Sequence, residues 1–337
     1  MNNDARILLA HGGGGRLSWQ LVQEIFAPAF ENPDLDTSHD GVVLGLPKSQ
    51  LAFTTDSFVV RPLFFPGGDI GKLAVCGTVN DLAMCGAKPL YLSASFILEE
   101  GLEIEILRRA ISSMAETARS VGVRIVTGDT KVVEHGKADQ MFITTSGVGA
   151  LLSDRRIGPK QVQPGDQIIL SGDIGRHGIA VMAQREGLAF ETTIESDCAP
   201  LSGIVATLLA TGADVHCLRD LTRGGLASAL VEIASTSGRR AAIREEDILV
   251  SEPVAGACEL LGLDPMYVAN EGRFIAFVSK RDVDTAMSAL RSDPLGKEAR
   301  VIGEVGSETD GLVTLRTVSG VDRVVEMFTG EQLPRIC

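Results

Sequence analysis

The sequence runs to 337 residues, 45% hydrophobic and 4% aromatic, which is enough chain for two domains with cores of their own and too apolar for a disordered protein. Its 44 acidic against 31 basic residues give a formal charge of −13, a surface that repels phosphate backbones and anionic lipid and argues against nucleic-acid and membrane roles. No run of about 18 apolar residues spans a bilayer, and Met1-Asn2-Asn3-Asp4 lacks the basic start of a secretory signal, so the expectation is a cytoplasmic protein.

Gly12-Gly13-Gly14-Gly15 leads into a helix over residues 17–26, whose Leu17, Leu21, Val22, Ile25 and Phe26 recur at helical spacing. Residues 51–60 read as a strand. Residues 69–86 read as a helix apolar nearly all round, and a helix of that kind is buried. A strand over 91–98, an amphipathic helix over 103–121, a short strand over 123–126 and a longer one over 141–148 follow. Gly158-Pro159 and Pro164-Gly165-Asp166 mark a linker, which predicts domains at 1–150 and 151–328 and a tail at 329–337. In the second half, strands are expected at 167–170, 215–218 and 274–278, with short ones from there to 327. Helices are expected at 178–185, 201–210, 225–235, 253–261 and 283–290. Both halves are therefore α/β, and 37 glycines suit layers with tight turns and close backbone approaches.

The six cysteines show no C-x-x-C pairing, and several lie in apolar segments where a reduced thiol packs like a small hydrophobe. The five histidines are scattered without ligand spacing and read as surface or loop residues, His11 alone lying beside a candidate site.

Four consecutive glycines carry a large ordering entropy unless their backbone wraps a ligand such as phosphate; a flexible linker is the other reading. Neither a Walker loop nor a G-x-G-x-x-G fingerprint is present. Asn80-Asp81 sits inside the apolar helix, where a carboxylate is costly unless paired, hydrogen-bonded or bound to a cation. Asp56 and Asp129 close the strand-like runs Thr54-Thr55-Asp56 and Val126-Thr127-Gly128-Asp129, the latter followed by Lys131. Singly, each is as well explained by capping or a turn. Together with the glycine loop they suit Mg²⁺ holding nucleotide phosphates. Asp220 or Thr222, before Gly224, equally suits a plain helix cap, and Glu271 an ordinary loop acid. The sequence closes on Pro334-Arg335-Ile336-Cys337: a terminal thiol on a short tether can leave the body, be loaded elsewhere and return, with Ile336 as an apolar handle. Arg335 favours thiolate there and the adjacent α-carboxylate opposes it.

The segments HGGGGR, TTDSF, DIGKLAVCGTVNDLAMCGAKP, FILEEGL, TGDTKVV, LRDLTRGGLASAL, NEGRF and PRIC, in unbroken order over nearly the whole chain, resemble a family of hydrogenase maturation factors. These are ATP-dependent carbamoyl dehydratases of the aminoimidazole ribonucleotide synthetase-like (PurM-like) superfamily. The resemblance implies a two-domain α/β fold whose N-terminal sheets pair across a homodimer into a barrel. It implies ATP and Mg²⁺, with Gly12, Gly13, Gly14, Gly15, Lys72, Asn80, Asp81, Gly128, Asp129, Asp220, Thr222 and Gly224 at the nucleotide and Asp56, Asp81 and Asp129 on the metal. It makes Cys337 the carrier, with Lys131 and Glu271 where the docked tail meets the nucleotide. It also implies a carbamoyltransferase, HypF, that loads the thiol, and a HypC–HypD complex that accepts the cyanide. A nucleotide-switched carrier or scaffold, or another synthetase or kinase of the superfamily, is the alternative; a selenophosphate synthetase is disfavoured because no cysteine precedes Cys76.

Overall fold

The computed structural model describes residues 6–13, 15–35, 42, 44–47, 50–188, 193–327 and 336–337. Gly14, Pro334 and Arg335 lie outside the described residues. The strands are β1 Leu51–Phe58, β2 Phe64–Phe65, β3 Gly68–Asp69, β4 Ala87–Glu99, β5 Arg124–Val133, β6 Met141–Leu151, β7 Gln167–Leu170, β8 Val215–Asp220, β9 Ala241–Arg244, β10 Phe274–Val278, β11 Arg300–Val305, β12 Val313–Arg316 and β13 Asp322–Val325. The helices are α1 Arg16–Leu21, α2 Ala27–Ala29, α3 Ile70–Met84, α4 Ile104–Val121, α5 Arg176–Glu186, α6 Ser202–Ala210, α7 Gly225–Ser237, α8 Glu252–Leu261 and α9 Val283–Arg291. A π-helical segment, Val22–Phe26, joins α1 to α2.

Two sheets organise the chain. The first runs β1-β6-β4-β5, antiparallel except for the parallel β4–β5 pair, and carries α3 and α4. The second runs β13-β12-β9-β11-β7-β10-β8, antiparallel but for β9–β12. Its strand β10 is buried on both faces: Ile275 and Phe277 join the core under α7, while Phe274, Ala276 and Val278 join the core under α6 and α9. That is why the run reads as uninterrupted apolar residues.

Helix α3 is the hinge pin between the sheets. Asp69 caps it, its carboxylate accepting from the Gly71 and Lys72 N–H groups at 2.8 and 3.1 Å. It packs against α4, β1, β4 and β6 on one side and against α6 and β8 on the other. Asn80 makes the junction specific: its Oδ1 accepts from Leu201 N–H (2.7 Å), and its Nδ2 donates to the Ala199 and Glu271 carbonyls (3.1 and 3.3 Å). Among the described residues no helix is long and apolar enough to cross a membrane.

Several expectations are corrected. Asp56 and Asp129 lie within β1 and β5 rather than at strand ends, and β5 runs on to Val133. Both are edge strands, where a charged side chain keeps access to water and an Asp or Gly is tolerated. Gly128 has a structural reason there, since a Cβ at this position stands 2.1 Å from the Ala94 carbonyl oxygen of β4. Strand β9, absent from the sequence reading, is only four residues with two alanines; pairing with β11 and β12 makes it a strand. His11, His177 and His216 are buried rather than on the surface, each with a hydrogen-bonded ring nitrogen.

Replacing Gly128 by alanine forces β4 and β5 apart. The Gly128→Ala chain is expected to lose about 1–3 kcal/mol of stability, the usual cost of overpacking, read as a lower urea midpoint.

Candidate active site

Where α3, β1, β8 and the segment before β10 meet, acidic side chains of both halves face one another. Asp56 (β1) and Asp81 (α3) repel each other, and both repel Asp220 at the end of β8. Asp81 accepts from the Thr54 hydroxyl at 2.7 Å, and Arg219 and Arg223 provide partial compensation. Burial holds the Asp56 and Asp81 carboxyls above their ordinary range. Asp220, 8% exposed, is pushed up to about 7 by burial and then by Asp81.

Glu271 completes the cleft. It is 3% exposed, and its Oε1 is buried with no hydrogen-bond partner among the described residues. Burial first, then Cys198, Asp220, Asp197 and Asp56, raise its carboxyl well above the usual range. Its backbone is fixed: Asp197 accepts from the N–H groups of Glu271 and Gly272 at 3.3 and 3.0 Å, and Asn80 holds the Glu271 carbonyl.

The last two residues enter this cleft. Ile336 is 3% exposed and joins the apolar core that runs through Phe65, Cys76, Val181, Cys198 and Ala269. The Cys337 thiol is pushed far up by burial and then by Glu271, with Arg223 opposing and Asp56 adding to the rise. Docked, the sulfur is therefore a neutral thiol and a poor nucleophile.

The anticipated residues fall into two places. Asp56, Asp81, Asp220, Glu271 and Cys337 come together; Asp129 and Lys131 do not join them. Across β1-β6-β4-β5, Asp129 stands three strand spacings from Asp56, about 14 Å in a flat sheet, too far for one ion. Asp129 is held low by Lys131, whose ammonium lies 2.8 and 2.6 Å from its two oxygens in an exposed ion pair. These two, with His11, Gly12 and Gly128, line a separate cavity of about 360 Å³ beside the glycine loop. Gly13 follows the 3₁₀ turn Leu9–Gly12, and Gly15 is the N-terminal cap residue of α1. Lys72 donates to the Gly67 carbonyl at 2.9 Å and so pins the entry to α3. Thr222 accepts from Gly225 N–H in the turn that opens α7, where Gly224 takes φ +81° and a Cβ stands 2.2 Å from Ser228 Oγ. Among the described residues no cluster of three His, Cys, Asp or Glu side chains is spaced to hold a metal by itself.

Sequence reasoning missed Arg223, which faces both Asp56 and Cys337, and Asp197, which fixes the Glu271 loop. Arg223 stands inside the LTRGG run; Asp197 had no local signal, because its partners are 74 and 75 residues away.

Two linked α/β layers with an acidic cleft between them define a class, the AIR synthase related proteins. Residues 38–151 match the N-terminal domain of that family and residues 163–316 its C-terminal domain. The chain is 50% identical to carbamoyl dehydratase HypE of Rhodobacter capsulatus over 99% of both sequences. A structure of hydrogenase maturation protein HypE in complex with ATP matches at TM-score 0.94 and 47% identity, covering 98% of this chain and 99% of that one. HypE in a HypE–HypF complex matches at TM-score 0.80 and 48% identity, covering 91% and 99%. The chain belongs to the HypE family.

Because folded Asp220 keeps its proton up to about pH 7 whereas the unfolded chain releases it near 4, its burial destabilises the protein increasingly across that window and by a constant amount above it. Asp220→Asn is expected to raise the melting temperature at pH 8 and leave it unchanged near pH 4, a gain on the order of 4 kcal/mol at the alkaline end. Equal melting shifts at both pH values contradict this account.

Proposed function

We propose that this chain is an ATP-dependent carbamoyl dehydratase, converting a carbamoyl group carried on Cys337 to a thiocyanate and so supplying cyanide for the iron of [NiFe]-hydrogenase. The observation that carries the reading is the seat of Cys337 beside Glu271, the half-buried Asp56 and Asp81 and the buried Asp220. In this reading residues 1–150 hold the nucleotide and the dimer contact, 151–328 complete the cleft, and 329–337 form the carrier arm.

Mg²⁺ fits the cleft by charge and by donor type. Asp56 and Asp81 offer hard oxygen ligands beside the Thr54 hydroxyl, and burial raises both pKa values despite Arg223 and Arg219, so a further cation there would favour their ionised forms. We assign the ion to Asp56 and Asp81, with Asp220 as their neighbour from the second half, and Asp129 with Lys131 to the glycine-loop end of the nucleotide. When bound, Mg²⁺ and ATP supply positive charge beside the carboxylates and the phosphoryl group that turns the carboxamide oxygen into a leaving group.

The residues of the chain do the rest. Ile336 anchors the arm in the apolar core, which holds the sulfur at the cleft. Arg223, the cation facing Cys337, steadies the oxygen as its charge grows, whereas Lys131 is tied to Asp129. Glu271, ionised with a cation beside it, accepts one proton that nitrogen gives up, and the nitrogen's other proton leaves with the phosphate as the C–O bond breaks. Overall S–C(=O)NH₂ becomes S–C≡N, with the oxygen leaving on phosphate.

A neutral docked thiol is unsuited to attack an acyl donor, so loading belongs to the undocked arm, on a carbamoyltransferase such as HypF. Cyanide acceptance belongs to a HypC–HypD complex, and the exposed Leu51 and Phe53 of edge strand β1 support a homodimer through the first sheet.

Intact mass of the carbamoylated chain tests the reading: Mg-ATP is expected to remove one water from the terminal peptide, and retention of that water with ATP bound points to a switched carrier instead. In single-turnover experiments Glu271→Gln is expected to slow the loss about 10²- to 10⁴-fold. An unchanged rate eliminates Glu271 as base. Cys337→Ala is expected to bind ATP and show no mass change.

A further inference from the structure

A second set of groups holds the arm, and none of them belongs to the chemistry just described. His177, at the start of α5, is fully buried, with Phe65 edge-on at 5.4 Å between ring centroids. Its two ring nitrogens have different partners. Nδ1 lies 2.8 Å from Ser196 Oγ, and Nε2 lies 2.6 Å from the carbonyl oxygen of Ile336.

The proton positions follow from the neighbours. Ser196 Oγ accepts from Cys198 N–H at 3.0 Å, so its hydroxyl proton is free to donate to His177 Nδ1. The imidazole then carries its proton on Nε2 and donates to Ile336, an acceptor-only carbonyl. Burial holds the imidazole below its ordinary pKa, against Asp197, which keeps the ring in this neutral form. The seat is rigid: Ser196 N–H donates to the Pro66 carbonyl at 2.8 Å, tying the loop to the first half of the chain. One residue further along, Val59 N–H, just past β1, donates to the backbone oxygen of Cys337 at 3.2 Å.

Two donors from opposite sides of the cleft thus grip consecutive backbone oxygens of the arm, and Ile336 fills an apolar slot between them. None of these contacts involves the sulfur or anything attached to it. With the arm out, the Nε2–H of His177 faces an apolar enclosure without this acceptor, which favours the arm's return.

We propose that His177, oriented by Ser196, is a positioning residue that latches the arm by its backbone and delivers Cys337 to Glu271 whatever cargo the sulfur carries. The role in turnover rests on the dehydratase reading; the latch itself does not.

The test uses the full chain and two readouts. Alkylation of Cys337 by a maleimide, quantified on the terminal peptide by mass spectrometry, reports how often the arm is out. Single-turnover dehydration of carbamoylated protein reports delivery. His177→Leu removes the donor, and His177→Gln places an amide N–H near the same position. His177→Leu is expected to raise the alkylation rate about three- to tenfold, the worth of one hydrogen bond, and to slow single turnover by a similar factor. His177→Gln is expected to return both toward the parent chain, and carbamoylated and free arms are expected to release equally, by proteolysis of the tail. Unchanged Cys337 alkylation in a His177→Leu chain that melts like the parent overturns the latch, as does identical behaviour of the Leu and Gln variants. Should His177→Leu fail to fold, Ser196→Ala decides: faster alkylation supports the latch and an unaltered rate refutes it. A parent chain that never loses water but shows this alkylation pattern retains the latch and sinks the dehydratase reading alone.

Discussion

One helix buried on both sides determines the geometry of everything else. Helix α3 has no polar stripe to turn to water, so it is covered by the first sheet and α4 on one side and by α6 and β8 on the other. Burying it this way brings the two halves against each other at a defined angle, and the three hydrogen bonds of Asn80 fix the register of that contact to the backbone at Ala199, Leu201 and Glu271. Asp81, the next residue, is thereby placed beside Asp56 of its own half and Asp220 of the other. The hydrophobic demand of α3 and the chemistry of the cleft are thus met by a single packing arrangement.

The cleft that results crowds four carboxyls together with Arg219 and Arg223. Asp56, Asp81, Asp220 and Glu271 are all held above their ordinary pKa values, mainly by burial, and neighbouring acids add to the rise at Asp81, Asp220 and Glu271. Crowded carboxyls of this kind are costly to ionise together, which is why some of them keep their protons. The Glu271 Oε1, without a hydrogen-bond partner among the described residues, and the proton held by Asp220 are two local signs of that crowding. A site of this kind couples ligand binding to proton release, because neutralising its charge lowers every pKa at once.

The arm adds a different kind of interaction. Its hold on the body is apolar and backbone-mediated, through Ile336, His177 and Val59, while its sulfur faces the acidic groups. Separating the grip from the reacting atom allows the cargo to change without changing the affinity of the arm. The same burial that seats the sulfur keeps it protonated, so loading and reaction are assigned to different positions of the arm.

Much of this was legible in the chain. Apolar periodicity located α3, α4 and strands β1, β4, β6, β7, β8 and β10 to within a few residues, because those patterns reflect which face each element buries. A carboxylate in the apolar helix, an Asp beside threonines and a terminal Ile-Cys pair were recognisable because each is costly or idle without a partner. Partners were not legible. The sequence by itself determined the layers, the buried helix and the residue types of the cleft. Only the tertiary structure decided that Asp220 and Glu271 join Asp56 and Asp81 while Asp129 and Lys131 lie on the opposite edge of the sheet, and that His177, far from the arm in sequence, seats it. The physical reason is that local pattern reports how much of a residue is buried, whereas strand order and contacts across more than a hundred residues determine against what.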